Sequence, residues 1–181
     1  MKKIFIFFLF VFVLNARYPR HEFSLGFFSL SVPISDFSDV ANPALGFDIS
    51  YRIGVNPLLI FNFITGYSFF IPKESMNIPD KKEKYSYHLI PFIIGVECAA
   101  PGYEKTFSPY LRVNAGLSKL ITKISSEPSS TSQTNFSFRF DIGFYLSLLD
   151  FNFSYNRTRT EGKSNAEYLN FVIRYRIPIN E

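Results

Sequence analysis

Eight charged and amide side chains recur at alternate positions within otherwise apolar segments, and these are the residues best suited to chemistry. They are Asp48, Arg52, Arg112, Asn114, Arg139, Asp141, Arg174 and Arg176. In an extended strand, alternate residues share one face, so these side chains lie opposite large apolar ones. Charges removed from water need partners. We therefore predict an internal network of ion pairs and hydrogen bonds, with Arg139 and Asp141 on the central strand and Asp48 and Arg174 as further members.

Two roles are open to this network. It could fill and rigidify a closed cylinder of strands, which is a purely structural role. The same arginines could instead line a gated path for ions, and their excess over acidic residues would then favour anions.

Catalytic chemistry has few candidates. The two histidines are His21, in a polar lead before the first strand, and His88, which shares parity with Ile90 and faces lipid or the rim. No Ser–His–acid set follows from the spacing, and no phosphate-binding glycine loop, cofactor box or metal-ligand spacing is present. The single cysteine, Cys98, falls in a predicted turn and permits no internal disulfide. We predict no enzyme, no cofactor and no metal.

Extended strands must position these residues, and 135–149 is the clearest of them. Its sequence, NFSFRFDIGFYLSLL, separates Phe, Ile and Leu from Ser, Arg, Asp and Gly by parity, as no helix would. Seven apolar positions on one face extend over roughly 40 Å, enough for a tilted strand to cross a bilayer. Ordinary soluble strands are much shorter.

Seven further segments alternate similarly, and they predict an all-β fold, an eight-stranded antiparallel up-and-down transmembrane β-barrel. A closed barrel is required because a lone strand in lipid would leave its backbone groups unpaired. The first strand changes phase at Phe27 and Phe28, which predicts a β-bulge. In the fourth strand, which is apolar on both faces, we assign Ile90, Phe92, Ile94 and Val96 to the outer row. The predicted strands are 23–32, 44–53, 58–71, 85–97, 107–124, 135–149, 151–158 and 166–177.

The connections alternate in length. Those after the second and sixth strands, 54–57 and 149–150, are very short, and 98–106 is intermediate. Long loops on one side and short turns on the other are typical of outer-membrane barrels, with the long loops outside the cell. The long, polar connections are 34–43, 72–84, 125–134 and 159–165.

Residues 1–16 read as a cleavable signal peptide. Lys2 and Lys3 precede an apolar run too short for a transmembrane helix, and Ala16 suits cleavage. The barrel domain is then 17–181. An even number of strands puts both termini on the periplasmic side.

The direction of the apolar face follows from volume. An eight-stranded barrel has room inside for modest side chains or one small ligand. The large apolar residues, which share one face of each strand, would not fit there. They must face outward, into lipid. The formal charge of +4 is scattered rather than clustered, which excludes a nucleic-acid footprint.

Tyrosines near the strand ends predict the aromatic girdles that mark the two membrane interfaces. Tyr67, Tyr85 and Tyr87 are assigned to one rim, and Tyr51 and Tyr175 to the other.

Two segments carry a resemblance to a known family. Val32-Pro33-Ile34-Ser35-Asp36-Phe37-Ser38 resembles the turn Pro-x-x-Asp-Phe-Ser, and Pro109 to Leu117, PYLRVNAGL, is similar to a Pro-Tyr-x-x-x-x-Gly strand. Both patterns are found in the small outer-membrane β-barrel proteins of Gram-negative bacteria, the OmpA-like or porin-like family common in Bacteroidota. The resemblance covers about residues 23–177. It implies outer-membrane lipid as the surroundings, with barrel-assembly machinery and periplasmic chaperones as partners during biogenesis.

From these observations we expect a monomeric bacterial outer-membrane protein with a structural role or a surface-interaction role through its extracellular loops. A narrow channel for small solutes or ions is the first alternative. An outer-membrane lipid-modifying enzyme, with His88 as its base, is the second.

Overall fold

Alternating apolar and polar residues form eight strands that close into an antiparallel barrel in chain order. The computed structural model describes residues 20–55, 58–74, 84–100, 107–124, 130–160 and 165–179. The elements are β1 Arg20–Ile34, α1 Phe37–Val40, β2 Ala44–Gly54, β3 Leu59–Glu74, β4 Lys84–Ala99, β5 Phe107–Ile124, β6 Ser130–Leu146, β7 Leu149–Thr158 and β8 Ala166–Ile179. Pairing of β1 with β8 closes the cylinder, so no strand edge is left open.

The apolar face points outward, as predicted. On β6, Phe136 and Ile142 are 57% and 55% exposed, whereas Arg139 and Asp141 are 3% and 0% exposed. The outer row assigned to β4 is also observed, because Phe92 and Ile94 are exposed and Ile93 between them is buried. Among the described residues, no helix is long and apolar enough to cross a membrane.

The predicted β-bulge in β1 is confirmed. The register of β1 shifts between Gly26 and Ser29 on the β2 side and between Gly26 and Phe28 on the β8 side. The shift lets Phe27 and Phe28 both face outward. Gly26 is required inside, because a Cβ there would lie 2.2 Å from Oδ1 of Asp48.

Several strands run further than their sequence patterns indicate. β3 extends into the predicted loop 72–84 as far as Glu74, and β6 begins at Ser130, within the predicted loop 125–134. In both places backbone pairing with the neighbouring strand continues into the polar stretch. The turn placed at Leu149 and Asp150 is wrong. It lies at Ser147 and Leu148, where Ser147 has φ 55°, so Asp150 belongs to β7.

The barrel has a loop end, where β1–β2, β3–β4, β5–β6 and β7–β8 connect, and a turn end, where the other connections, the start of β1 and the end of β8 lie. The predicted signal peptide, 1–16, lies outside the described residues. So do parts of the predicted connections, 56–57, 75–83, 101–106, 125–129 and 161–164.

The first long connection holds a helical turn, α1, that caps the lumen at the loop end. Phe37 on α1 is buried, with its ring 5.0 Å from that of Phe70 and 5.6 Å from that of Tyr87. Phe70 in turn meets Tyr168 of β8 at 5.6 Å. These four rings and the aliphatic side chains around them form an apolar cluster, here called the cap.

A smaller apolar cluster, the floor, lies at the turn end. It consists of Ile60, Ala99, Tyr110 and Tyr145, and the two tyrosine rings stack at 4.6 Å. Gly143 makes room for it, since a Cβ there would lie 2.5 Å from the Tyr110 ring. The interior is therefore not filled by small and charged residues alone, because its two ends are closed by apolar and aromatic side chains.

We expect Phe37→Ala to lower the free energy of unfolding by about 3 kcal/mol, the usual cost of removing a buried ring and leaving a cavity. Val40→Ala on the same helical turn is the matched control, since Val40 is exposed and should change it by less than about 0.5 kcal/mol. Urea unfolding in detergent micelles measures both. Equal losses for the two variants would contradict the assignment of Phe37 to the cap.

Candidate functional site

Between the cap and the floor, the lumen contains a charged layer. Among the described residues, the buried charged side chains comprise equal numbers of arginines and acids. The layer is therefore electrically neutral as a set, which is the condition under which charges tolerate removal from water. Its members are Arg52, Arg112, Arg139, Arg174, Arg176, Glu22, Asp48, Glu97, Asp141 and Asp150.

Asp150 has three cationic neighbours. Its Oδ2 lies 3.1 Å from Nη1 of Arg174, 3.7 Å from Nη1 of Arg52 and 3.8 Å from Nη2 of Arg112. The Tyr110 hydroxyl donates to Oδ1 at 2.5 Å. One carboxylate near the start of β7 thus connects three other strands and the floor.

A second chain of contacts runs toward the loop end. Arg174 donates from Nε and Nη2 to the two carboxylate oxygens of Asp48, at 2.7 and 2.5 Å. Asp48 Oδ2 lies 3.8 Å from Nη1 of Arg139, and Arg139 donates from Nε to Asp141 at 2.7 Å. The Asn114 amide completes the chain by donating to Asp141 at 2.5 Å.

Glu97 anchors the β4 side of the layer. Arg112 donates to its Oε2 from Nε at 2.8 Å and from Nη2 at 2.6 Å. The Tyr145 hydroxyl donates to its Oε1 and accepts from Nη1 of Arg52 at 2.5 Å. The floor tyrosines are therefore part of the network and not only a seal.

Glu22 binds two arginines beside the β1–β8 junction. Arg176 donates to it from Nη2 at 2.6 Å, and Arg52 forms an ion pair with it. The guanidinium of Arg176 also lies 4.1 Å from the centre of the Tyr145 ring, which is cation–π geometry. The last strand is thus held to the first by charge as well as by backbone pairing.

The structure places all eight side chains of the predicted interior set in the lumen, and Arg139 contacts Asp141 while Arg174 contacts Asp48. Sequence reasoning missed Glu22, Glu97 and Asp150. A charge count would have indicated three missing acids, because five inward arginines against two inward aspartates leave three positive charges without partners.

The predicted excess of arginine is consequently wrong for the described lumen. Its acids match its arginines in number, so the electrostatic basis for anion preference is absent. Within the described ranges, no group of three or more His, Cys, Asp or Glu side chains is placed to hold a metal ion.

The residues considered for catalysis lie away from this layer. His88 is on the outer surface, with Nδ1 2.5 Å from the Tyr67 hydroxyl and its ring 5.1 Å from that of Phe69. His21 is not in a lead segment but in β1, with Nδ1 2.5 Å from the Tyr51 hydroxyl. Cys98 is in β4 and not in a turn, and it is exposed and free.

The tyrosines assigned to the girdles divide into two groups. Tyr51, Tyr67 and Tyr175 have outward parity, and Tyr175 is exposed. The prediction for Tyr87 is wrong, because its ring packs against Phe37 in the cap. Tyr85 has the same parity on β4 as Tyr87.

Comparison with solved structures identifies this architecture. The chain matches the crystal structure of the attachment invasion locus protein Ail of Yersinia pestis, solved with the heparin analogue sucrose octasulfate. The sequence identity is 15% and the TM-score is 0.55, and the match covers 88% of this chain and 99% of that one. Neisserial surface protein A matches at 16% identity and a TM-score of 0.54, over 86% and 96%.

The N-terminal β-barrel domain of Pseudomonas aeruginosa OprF matches at 10% identity and a TM-score of 0.52, over 88% and 98%. No protein-family model and no curated protein sequence matches the chain. At these identities the similarity shows the fold, which is that of the small eight-stranded outer-membrane barrels.

Charge balance in the lumen yields a testable prediction. We expect Glu97→Gln alone to lower the free energy of unfolding by about 3 kcal/mol, because it leaves a buried guanidinium without its partner. Combining it with Arg112→Met restores neutrality, so the double variant should be more stable than Glu97→Gln alone. Urea titration of the four proteins in the same micelles gives the coupling energy.

The control is the rim pair Arg157–Glu167, whose side chains are 54% and 19% exposed. Neutralising both with Gln should change the free energy of unfolding by less than about 1 kcal/mol. Additive losses for Glu97 and Arg112 would contradict a role for neutrality.

Proposed function

We propose that this chain is an integral protein of the bacterial outer membrane, with a structural role or a surface-interaction role through the loops at its loop end. The observation that carries the proposal is the belt of exposed apolar side chains, to which every one of the eight strands contributes. Soluble monomers rarely expose a contiguous apolar surface of this extent. Hydrocarbon is the solvent that accommodates such a belt.

A non-conducting barrel is favoured over a channel. The cap, the charged layer and the floor fill the lumen in succession, and the arginines are matched by acids. An ion path would require both apolar clusters to move and several ion pairs to separate. We propose no catalysis, with His88 as a residue of the membrane interface.

The signal peptide, periplasmic termini and extracellular loops belong to the same proposal. Delivery by residues 1–16 and insertion by barrel-assembly machinery, with periplasmic chaperones, would leave the loop end outside the cell. The similarity to Ail and to Neisserial surface protein A, whose names describe attachment and a surface position, supports contact with molecules outside the cell. We propose a monomer, because the closed cylinder leaves no strand edge for pairing.

Location and orientation can be tested together. An epitope inserted within 75–83 should be accessible to antibody on intact cells, and the same epitope at 56–57 should be accessible only after permeabilisation. The protein should fractionate with the outer membrane and migrate differently on gels before and after boiling, because a closed barrel resists detergent until heated. Labelling of the 56–57 insertion on intact cells would overturn the orientation.

Conductance separates the structural role from the channel. We expect planar bilayers containing the purified protein to remain silent, since the lumen is filled. Reproducible current steps that disappear on Arg112→Gln or Arg139→Gln would instead establish the channel. Phospholipid or lipid A turnover that is lost on His88→Ala would establish the enzyme.

A further inference from the structure

We propose that the outer wall over β6, β7, β8 and β1 is a binding site for one lipid A molecule, with an acyl chain in a groove and a headgroup phosphate at Arg157 and Arg159. This inference rests on the proposed function, because it requires the loop end to lie in the outer leaflet. Lipid A, the phosphorylated and multiply acylated glycolipid of that leaflet, combines the two chemistries that the surface presents.

The apolar part of the site is a groove of about 370 Å³ on the outer wall. Two complete cross-strand rows of side chains line it, and they run over the same four strands in the same order. Toward the turn end lies the row Ile142, Phe153, Phe171 and Leu30, and above it lies the row Phe140, Tyr155, Leu169 and Val32. The position is distinctive because β7, at the centre of the groove, is the shortest of the eight strands.

In the next row toward the loop end, the side chains on β7 and β8 are charged and no longer apolar. Directly above Tyr155 and Leu169, in register, are Arg157 and Glu167. Their side chains pair, with Arg157 Nε 3.3 Å from a carboxylate oxygen of Glu167. A charged pair of this kind marks the level at which hydrocarbon ends, because charges are costly within the bilayer.

Above the groove, the described rim of β7 and β8 carries two guanidiniums and one carboxylate. Arg159 follows Arg157 with the same outward parity, and both are exposed. Two guanidiniums against the single carboxylate of Glu167 leave one positive charge in this group. Guanidinium binds phosphate through paired, charge-assisted hydrogen bonds. An acyl chain in the groove would place its own headgroup at this level, so the apolar and cationic parts suit one molecule.

The test uses the full-length protein purified in a zwitterionic detergent, with its closed barrel verified by heat-dependent gel migration. Lipid A, phosphatidylglycerol and phosphatidylcholine are added separately, and the bound lipid is counted by native mass spectrometry. We expect lipid A to be retained in preference to both phospholipids. We also expect Arg157→Gln combined with Arg159→Gln to lower the affinity for lipid A by at least about tenfold.

Two matched controls are available on β5. Lys119→Gln combined with Lys123→Gln removes the same charge from exposed positions at the same end of the barrel, away from the groove. Leu169→Trp fills the groove and should reduce retention, whereas Leu117→Trp, at a leucine of similar exposure outside it, should not.

Equal loss for the lysine and arginine variants would overturn the site, because general charge attraction would then account for binding. Equal retention of phosphatidylglycerol would overturn the assignment to lipid A. Because the closed barrel is verified first, either result leaves the proposed membrane location intact.

Discussion

The need to neutralise charge inside a narrow cylinder governs this molecule. In the described part of the chain, five guanidiniums lie where water has little access, and each would carry a large desolvation penalty if it were alone. The structure meets this need with five carboxylates drawn from β1, β2, β4, β6 and β7. Because partners usually sit on different strands, neutrality also fixes how the strands are placed around the axis. Arg174 is the clearest case, since it joins Asp48 on β2 to Asp150 on β7 from its own position on β8.

The apolar cap and floor strengthen this arrangement. They lie above and below the ion pairs, and exclusion of water lowers the local dielectric constant and increases the strength of each hydrogen bond. The same seclusion raises the cost of any unmatched charge. In this lumen, paired charges stabilise the fold and a single unpaired charge destabilises it strongly. The equal numbers of acids and arginines are consistent with this.

Much of the fold could be predicted from the alternation of side chains, because parity in a strand is a strong and local signal. The phase of β6, the bulge in β1 and the bounds of β5 follow directly from it. The signal is weakest where both faces are apolar, and this concealed Glu97 on β4. It also fails at strand ends, where Glu22 read as a polar lead and Asp150 as a turn residue.

Contacts between distant parts of the chain were not accessible to sequence reasoning of this kind. Phe37 read as part of a polar loop, and nothing local indicates that its ring enters the lumen to meet Phe70 and Tyr87. Tyr87 was assigned to a girdle because aromatic residues suit both a membrane interface and a buried cluster, and its sequence position does not distinguish the two. The groove beside β7 likewise depends on register across four strands, which only the closed barrel specifies.

The cap has a kinetic consequence. Its rings come from α1, β3, β4 and β8, and Phe70 reaches Tyr168 only once the last strand has joined the first. The packing energy of the contact with Tyr168 is therefore gained after closure, late on the folding pathway, where stabilising contacts act mainly by slowing unfolding. A barrel sealed in this way would be long-lived once assembled, while the speed of its assembly would depend on other residues.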